Sequence, residues 1–161
     1  MKRIIGVLDE YLEVSICIFL MSSMTLILGV QVFMRYVVHN SLSWSEEAAR
    51  YIFIWLIYIG ISYGAKIMKH IRIEAALGLF PRTMRPYVEI IGDILFLGFS
   101  LFVVYSSWGI VQKQILLGQL SPAIQMPMWF VYSAPLVGFS LTAIREVQAI
   151  VYRWTLVRRE G

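Results

Sequence analysis

Four apolar stretches, separated by charged or loop-forming residues, dominate the chain. Residues 14–34, 94–112 and 114–144 carry no charged side chain, and the shorter run 51–65 is flanked by residues that can continue a helix. A helix crosses a bilayer with about 20 apolar residues. The run 114–144 is longer than that and contains Gly118, Ser121 and Pro122, which favour a loop. The pattern predicts an all-α integral membrane protein with four transmembrane helices.

We place the spans at about 14–37, 44–68, 88–112 and 127–152, in a single membrane domain that covers residues 1–161. Ile4, Leu8 and Leu12 recur at helical spacing before the first span. They predict an N-terminal amphipathic segment, which either lies in the membrane surface or simply extends the first helix. Residues 71–80 predict an interfacial helix between spans two and three.

The basic residues give the predicted spans an orientation. Of the 14 Lys and Arg residues, all but Arg35, Arg50 and Lys113 fall on the side of the two termini and of the segment between spans two and three. Cytoplasmic segments carry an excess of Lys and Arg, so both termini are predicted to be cytoplasmic. The net charge of +4 comes from these flanking residues and not from one basic patch, which argues against nucleic-acid binding.

Residue types that carry catalysis or bind metals form no recognisable constellation in the sequence. His39 and His70 fall on opposite sides of the predicted membrane, and the single cysteine, Cys17, lies in the first span. The middle of each span also lacks an ionisable residue, although transporters hold substrates and coupling ions there. We therefore predict neither an enzyme nor a cofactor site in this chain.

The stretch SWSEEAARYIFIWLIYIG, residues 43–60, sets charged residues directly against the second span. Ser43 and Glu46 fit a capping box that begins a helix. The 15 charge-free residues after Arg50 span only roughly 22 Å of helix, less than a hydrocarbon core of about 30 Å. Some of these charges must therefore lie at or below the membrane interface.

Two interpretations of these charges remain open. They form a solvated helix start, or Arg35, Glu47 and Arg50 form a cluster that holds the first two spans together or meets a partner. Elsewhere in the spans, Gly60 with Gly64 and residues 134–138 match the small-xxx-small pattern of close helix contacts.

Residues 35–74, RYVVHNSLSWSEEAARYIFIWLIYIGISYGAKIMKHIRIE, combine these features. An arginine ends the first span, Ser-Trp-Ser-Glu-Glu follows, and an aromatic second span leads to Lys-x-x-His-Ile. This sequence resembles the small membrane subunit of tripartite ATP-independent periplasmic (TRAP) transporters, the DctQ-like proteins. The candidate structural or partner-interface residues are Arg35, Ser43, Trp44, Glu46, Glu47, Arg50, Gly60, Gly64 and His70.

The resemblance implies a scaffold in the bacterial inner membrane that pairs with a large multi-spanning permease subunit. A periplasmic substrate-binding protein would deliver an organic acid, such as sialic acid or a C4-dicarboxylate. Sodium and substrate sites would belong to the large subunit.

Two alternatives from other classes fit the sequence less well. An independent four-span exporter of the small multidrug-resistance type is expected to carry a carboxylate in its first span, and residues 14–34 have none. A redox anchor linked to quinone or haem would need paired histidines on one side of the membrane.

Overall fold

A computed structural model of the chain describes residues 2–40, 42–67 and 85–160. The helices in these ranges are α1 (Lys2–Tyr36), α2 (Ser43–Ile67), α3 (Arg85–Leu117) and α4 (Met128–Glu160). Each is long and apolar enough to cross a membrane, with candidate spans Leu12–Tyr36, Ser43–Lys66, Val88–Leu117 and Met128–Thr155. The predicted all-α membrane fold with four spanning helices is confirmed.

The first helix is continuous over 35 residues. Of the two alternatives for its N-terminal segment, the structure has the helical extension, because the backbone does not turn before the span begins. The interfacial helix predicted over 71–80 and the candidate His70 lie outside the described residues.

Two loops, 37–42 and 118–127, lie at one end of the helices, called the hairpin end below; the other end is the terminal end. Gly118 closes α3 with a left-handed φ of 57° and donates its amide to the Ile115 carbonyl at 3.2 Å. Glycine is the usual residue at this position because it lacks a Cβ. Beyond it, the Ser121 carbonyl accepts from the Gln125 amide at 3.2 Å, which confirms the loop predicted there.

The helices neighbour one another in the order α1, α2, α4, α3. Among the described residues, α1 has a close backbone neighbour only in α2, and α3 only in α4. The central α4 therefore buries 44% of its span, whereas α1 buries 6% and α3 buries 11%. The two outer helices leave most of their apolar surface to lipid or to another subunit.

Helices α2 and α4 approach each other closely at Gly138. A Cβ on this glycine would lie 2.6 Å from the Tyr58 carbonyl oxygen. Ala134, one turn earlier, is fully buried. The contact predicted from residues 134–138 is therefore confirmed.

The second small-residue pattern makes no such contact with the described residues. A Cβ at Gly60 or Gly64 would meet no atom within 4 Å. The expected helix contact is therefore absent at these two residues in the described structure, because α2 meets α4 through the face that carries Tyr58. The two patterns look alike in sequence, and only the packing distinguishes them.

The Gly138 contact leads to a testable prediction. Substitution Gly138→Ala forces α2 and α4 apart, and overpacking of this kind costs about 1–3 kcal/mol. The matched control, Gly64→Ala, adds a methyl group in open space and should change stability by no more than about 1 kcal/mol, in the stabilising direction, through helix propensity. The free energy of unfolding in detergent, measured for the isolated chain, distinguishes them. Equal effects of the two substitutions would contradict the assigned contact.

Candidate functional site

Glu47 anchors the loop between α3 and α4. One carboxylate oxygen accepts the backbone amides of Ala123 at 2.7 Å and Ile124 at 3.2 Å. The other oxygen accepts the Tyr51 hydroxyl from the next turn of α2, and the side chain of Ser121 lies beside the carboxylate. Glu47 is only 7% exposed, and a buried carboxylate is tolerated where hydrogen bonds replace water. It therefore fixes the position of the loop over the end of α2.

Glu46 faces the opposite way, toward α1. Its carboxylate accepts the Gln31 side-chain amide at 2.8 Å and lies 4.0 Å from the Arg35 guanidinium. Arg35 and Glu47, two members of the predicted cluster, therefore do not pair, because successive residues of a helix point in different directions. Arg35 pairs with Glu46 instead, and the contact joins α1 to α2 at the hairpin end.

The predicted capping box is also wrong. Helix α2 begins at Ser43 itself, so the capping position falls on Leu42. The Leu42 carbonyl accepts both the amide of Ser45 at 3.3 Å and its hydroxyl at 2.7 Å. The Glu46 carboxylate is directed to α1 and makes no described hydrogen bond with Ser43.

The remaining candidates of this stretch lie on its surface. Trp44 is 46% exposed, and the Arg50 side chain is exposed as well. Arg50 does not join Arg35 and Glu47, so the predicted cluster of three charges does not form. Its position leaves it available for a molecule outside the chain.

A second polar contact lies at the terminal end and joins three helices. Glu13 of α1 is 1% exposed and accepts the Ser62 hydroxyl of α2 at 2.8 Å and the Arg145 guanidinium of α4 at 2.9 Å. The Lys66 ammonium lies 3.8 Å from its second oxygen. Removing one member of a buried ion pair typically costs about 3–5 kcal/mol. These residues therefore hold α1, α2 and α4 together.

Helices α3 and α4 have an ion cluster of their own near the terminal end. Arg153 donates to Glu89, and its Nε lies 3.1 Å from Asp93. Glu89 and Asp93 are one turn apart and present both carboxylates to the same guanidinium. The outermost helix is thereby fixed to the centre of the row.

The sequence interpretation missed most of these contacts. It gave Glu13 no role, whereas the structure buries this residue at the start of the span Leu12–Tyr36. One local signal was available: Glu89 and Asp93 are spaced four residues apart, as are Ser62 and Lys66. The signal marks a shared helix face but does not identify its partner on another helix.

The chemistry of these clusters is structural. Each of their carboxylates is engaged by a cation, a hydroxyl or a backbone amide. Within the described ranges, no group of three His, Cys, Asp or Glu side chains could hold a metal ion. The arrangement cross-links helices at both ends of the membrane span.

Comparison with known proteins gives a family match over most of the chain. The family model described as "Tripartite ATP-independent periplasmic transporters, DctQ component" matches residues 24–156. The isethionate TRAP transporter permease protein DctMQ of Oleidesulfovibrio alaskensis is 30% identical over 151 residues, which cover 90% of this chain and 24% of that protein.

Two further relatives are small permease proteins by name. The C4-dicarboxylate TRAP transporter small permease protein DctQ of Vibrio cholerae is 27% identical over 104 residues, 65% of this chain and 45% of the relative. A Haemophilus influenzae protein named as a TRAP transporter small permease is 25% identical over 161 residues, 99% of this chain and 98% of the relative. The chain thus spans less than half of the first two relatives and nearly all of the third.

The Glu47 anchor predicts the behaviour of the loop 118–127. Substitution Glu47→Ala removes two backbone hydrogen bonds to a charged acceptor. If the loop loses about 1.5 kcal/mol of local stability, the rate of amide hydrogen exchange should rise about tenfold. Hydrogen exchange of Ala123 and Ile124, followed by mass spectrometry, measures this. The neighbouring substitution Glu46→Ala should leave the loop unchanged, since its exposed ion pair is worth about 0–1 kcal/mol. Equal exchange in both variants would show that Glu47 does not hold the loop.

Proposed function

Because this chain belongs to the DctQ component family of tripartite ATP-independent periplasmic transporters, we propose that it is the scaffold of a sodium-coupled uptake system for an organic acid. In this system the chain is the small permease subunit. In this proposal it supports a large permease subunit, which moves the substrate, and a periplasmic binding protein delivers that substrate.

The way in which the described helices use their charged residues supports this proposal. Substrate and ion sites of secondary transporters lie near the bilayer midplane, on broken helices or beside ionisable residues. Here the helices are continuous, and the described charged clusters lie toward their ends, where they bind one helix to another. A set of membrane helices that is held together in this way is suited to supporting another subunit that moves the substrate.

The four-span exporter is the weaker alternative. The structure does place a carboxylate, Glu13, inside the first span, but Arg145 and Lys66 neutralise it. An exchange site needs a carboxylate that a substrate can reach, and this one is buried beneath its partners. The observation favours the scaffold.

Most of the relatives that are named for a substrate support an organic anion, while one is named for ectoine, a zwitterion that also carries a carboxylate. Their names specify isethionate and C4-dicarboxylates. Isethionate is a sulfonate and C4-dicarboxylates carry carboxylates, so both are small organic anions; sialic acid belongs to the same class. The pairing with a larger permease is supported by the isethionate permease, in which the matched segment makes up 24% of the length.

We assign the chain to the inner membrane with both termini in the cytoplasm. The support is the distribution of cations: Lys66, Arg145 and Arg153 lie toward the terminal end in the structure, and the sequence carries further Lys and Arg residues at positions 2–3 and between spans two and three. The hairpin end carries fewer, so it would face the periplasm.

Reconstitution tests the proposed function. Proteoliposomes that contain this chain, the large permease subunit and the binding protein should take up labelled succinate, sialic acid or isethionate under an inward sodium gradient. Liposomes with this chain alone should take up none of the three, and omission of this chain should abolish uptake by the other components. Sodium-dependent uptake by the chain alone, or full uptake without it, would refute the scaffold function. Co-purification of the large subunit with the tagged chain tests the pairing independently of the substrate.

Cysteine labelling tests the orientation. In a Cys17→Ala background, Gln119→Cys in the hairpin-end loop should react with a membrane-impermeant maleimide added to spheroplasts, because Gln119 is exposed. Thr83→Cys, in the segment that follows α2, should react only after the membrane is opened. Gln119 is preferable to the neighbouring Ser121, which is 1% exposed. The reverse pattern would place the termini in the periplasm.

A further inference from the structure

The backbone of the loop 118–127 is held to α2 at a single side chain. Its described backbone hydrogen bonds to that helix are the two that successive loop amides donate to the Glu47 carboxylate. Inside the loop, the Ser121 amide donates to the Met126 carbonyl at 2.9 Å, so the loop is a structured unit of its own. A movement of the Glu47 side chain would therefore release this unit from α2.

The loop also lies between two cavities. Pro122 and Ala123 line a cleft of about 670 Å³ between α2 and α4, whereas Ile124 and Met126 line an apolar pocket of about 490 Å³, mainly against α1 and α2. Residues 122–125 are exposed. A segment with few buried contacts opens at a low free-energy cost. The two hydrogen bonds to the carboxylate are therefore important for keeping the loop in place.

Arg50 is a second partner within reach of Glu47. The two residues are three apart on α2 and line the same cleft, and side chains at this spacing are neighbours on a helix surface. In the described part of the chain, no carboxylate lies within ion-pair distance of the Arg50 guanidinium. Glu46, one turn before Arg50, directs its carboxylate to α1. The loop amides and Arg50 therefore compete for the carboxylate of Glu47.

Tyr51 favours the loop in this competition. Its hydroxyl donates to the Glu47 oxygen that does not bind the loop amides, and it lies 3.5 Å from the sulfur of Met128 at the start of α4. Tyr51 is buried, so packing fixes the position of its ring. The hydroxyl thereby holds the Glu47 side chain in the orientation that points to the loop.

We propose that Glu47 is a switch with two positions, in which its carboxylate binds either the loop amides or the Arg50 guanidinium, and that the Tyr51 hydroxyl selects the loop. In the second position an ion pair on α2 replaces the anchor, and the loop 118–127 is released at the hairpin end. Because residues of the loop form part of the wall of the cleft between α2 and α4, their release widens that cleft. Tyr51 is thus a positioning residue that acts through Glu47.

Hydrogen exchange at the amides of Ala123 and Ile124 tests the switch, measured by mass spectrometry on the purified full chain in a neutral detergent. Tyr51→Phe removes the hydroxyl but keeps the ring, and it should raise exchange about tenfold, as expected for the loss of one hydrogen bond to a charged group. Adding Arg50→Gln removes the competing cation and should lower exchange again about fivefold, a coupling typical of neighbouring side chains.

Two further double variants are controls. Tyr51→Phe with Arg50→Lys keeps a cation beside Glu47 and should exchange nearly as fast as Tyr51→Phe alone. Tyr51→Phe with Lys113→Gln loses an exposed cation of α3 instead and should also remain fast. The melting temperature of each variant shows that the helices remain folded before exchange rates are compared.

Arg50→Gln in the otherwise unchanged chain tests the switch without altering Tyr51. This variant should exchange more slowly than the wild type, because opening then leaves the Glu47 carboxylate without its second partner. Raising the salt concentration should slow exchange in Tyr51→Phe, since salt screens an exposed ion pair more than it screens a buried anchor.

Three results would overturn the proposal. If Arg50→Gln does not reverse the fast exchange of Tyr51→Phe, the tyrosine only packs against the loop. If Tyr51→Phe exchanges at the wild-type rate, its hydroxyl does not select the position of Glu47. If Arg50→Gln alone exchanges as fast as the wild type or faster, Arg50 does not compete for the carboxylate.

Discussion

The buried carboxylate of Glu13 is the contact on which the helix arrangement depends most. Apolar side chains gain little by leaving lipid for another helix, so membrane helices rely on close backbone packing and on polar contacts to fix their positions. Glu13 supplies such a contact for three helices at once, through Ser62 and Arg145 and with Lys66 nearby. The close approach at Gly138 then sets the distance between α2 and α4 farther along the same helices.

The remaining polar contacts extend this arrangement to both ends of the membrane. Glu47 fixes the loop between α3 and α4 to the start of α2, and Arg153 fixes α3 to α4 near the other end. Each contact joins elements that are neighbours in the row, and each uses a charge that would be costly in lipid if it were alone. The same residues that would be required in a transport site are thus committed to holding the helices in place, which is the property that a supporting subunit needs.

Hydropathy alone was sufficient to predict the four helices and the loop after Gly118, because a span and a helix-breaking glycine are local features of sequence. The partners of the charged residues were not predictable in this way. Glu13 and Arg145 are 132 residues apart, and Glu46 and Glu47 are adjacent yet face different helices. The pairing depends on which faces of the helices meet, and that is a property of the whole packing. The same limit explains why one small-residue pattern forms a contact and the other does not.

The position of α4 in the row has a consequence for the order of synthesis. This helix is made after the other three, yet α2 and α3 both pack against it, and it carries Arg145 and Arg153. During translation the carboxylates of Glu13, Glu89 and Asp93 therefore enter the membrane before their arginines exist. Helices α1 and α2 can pack against each other before α4 is made, whereas α3 gains its described neighbour only when α4 inserts between α2 and α3.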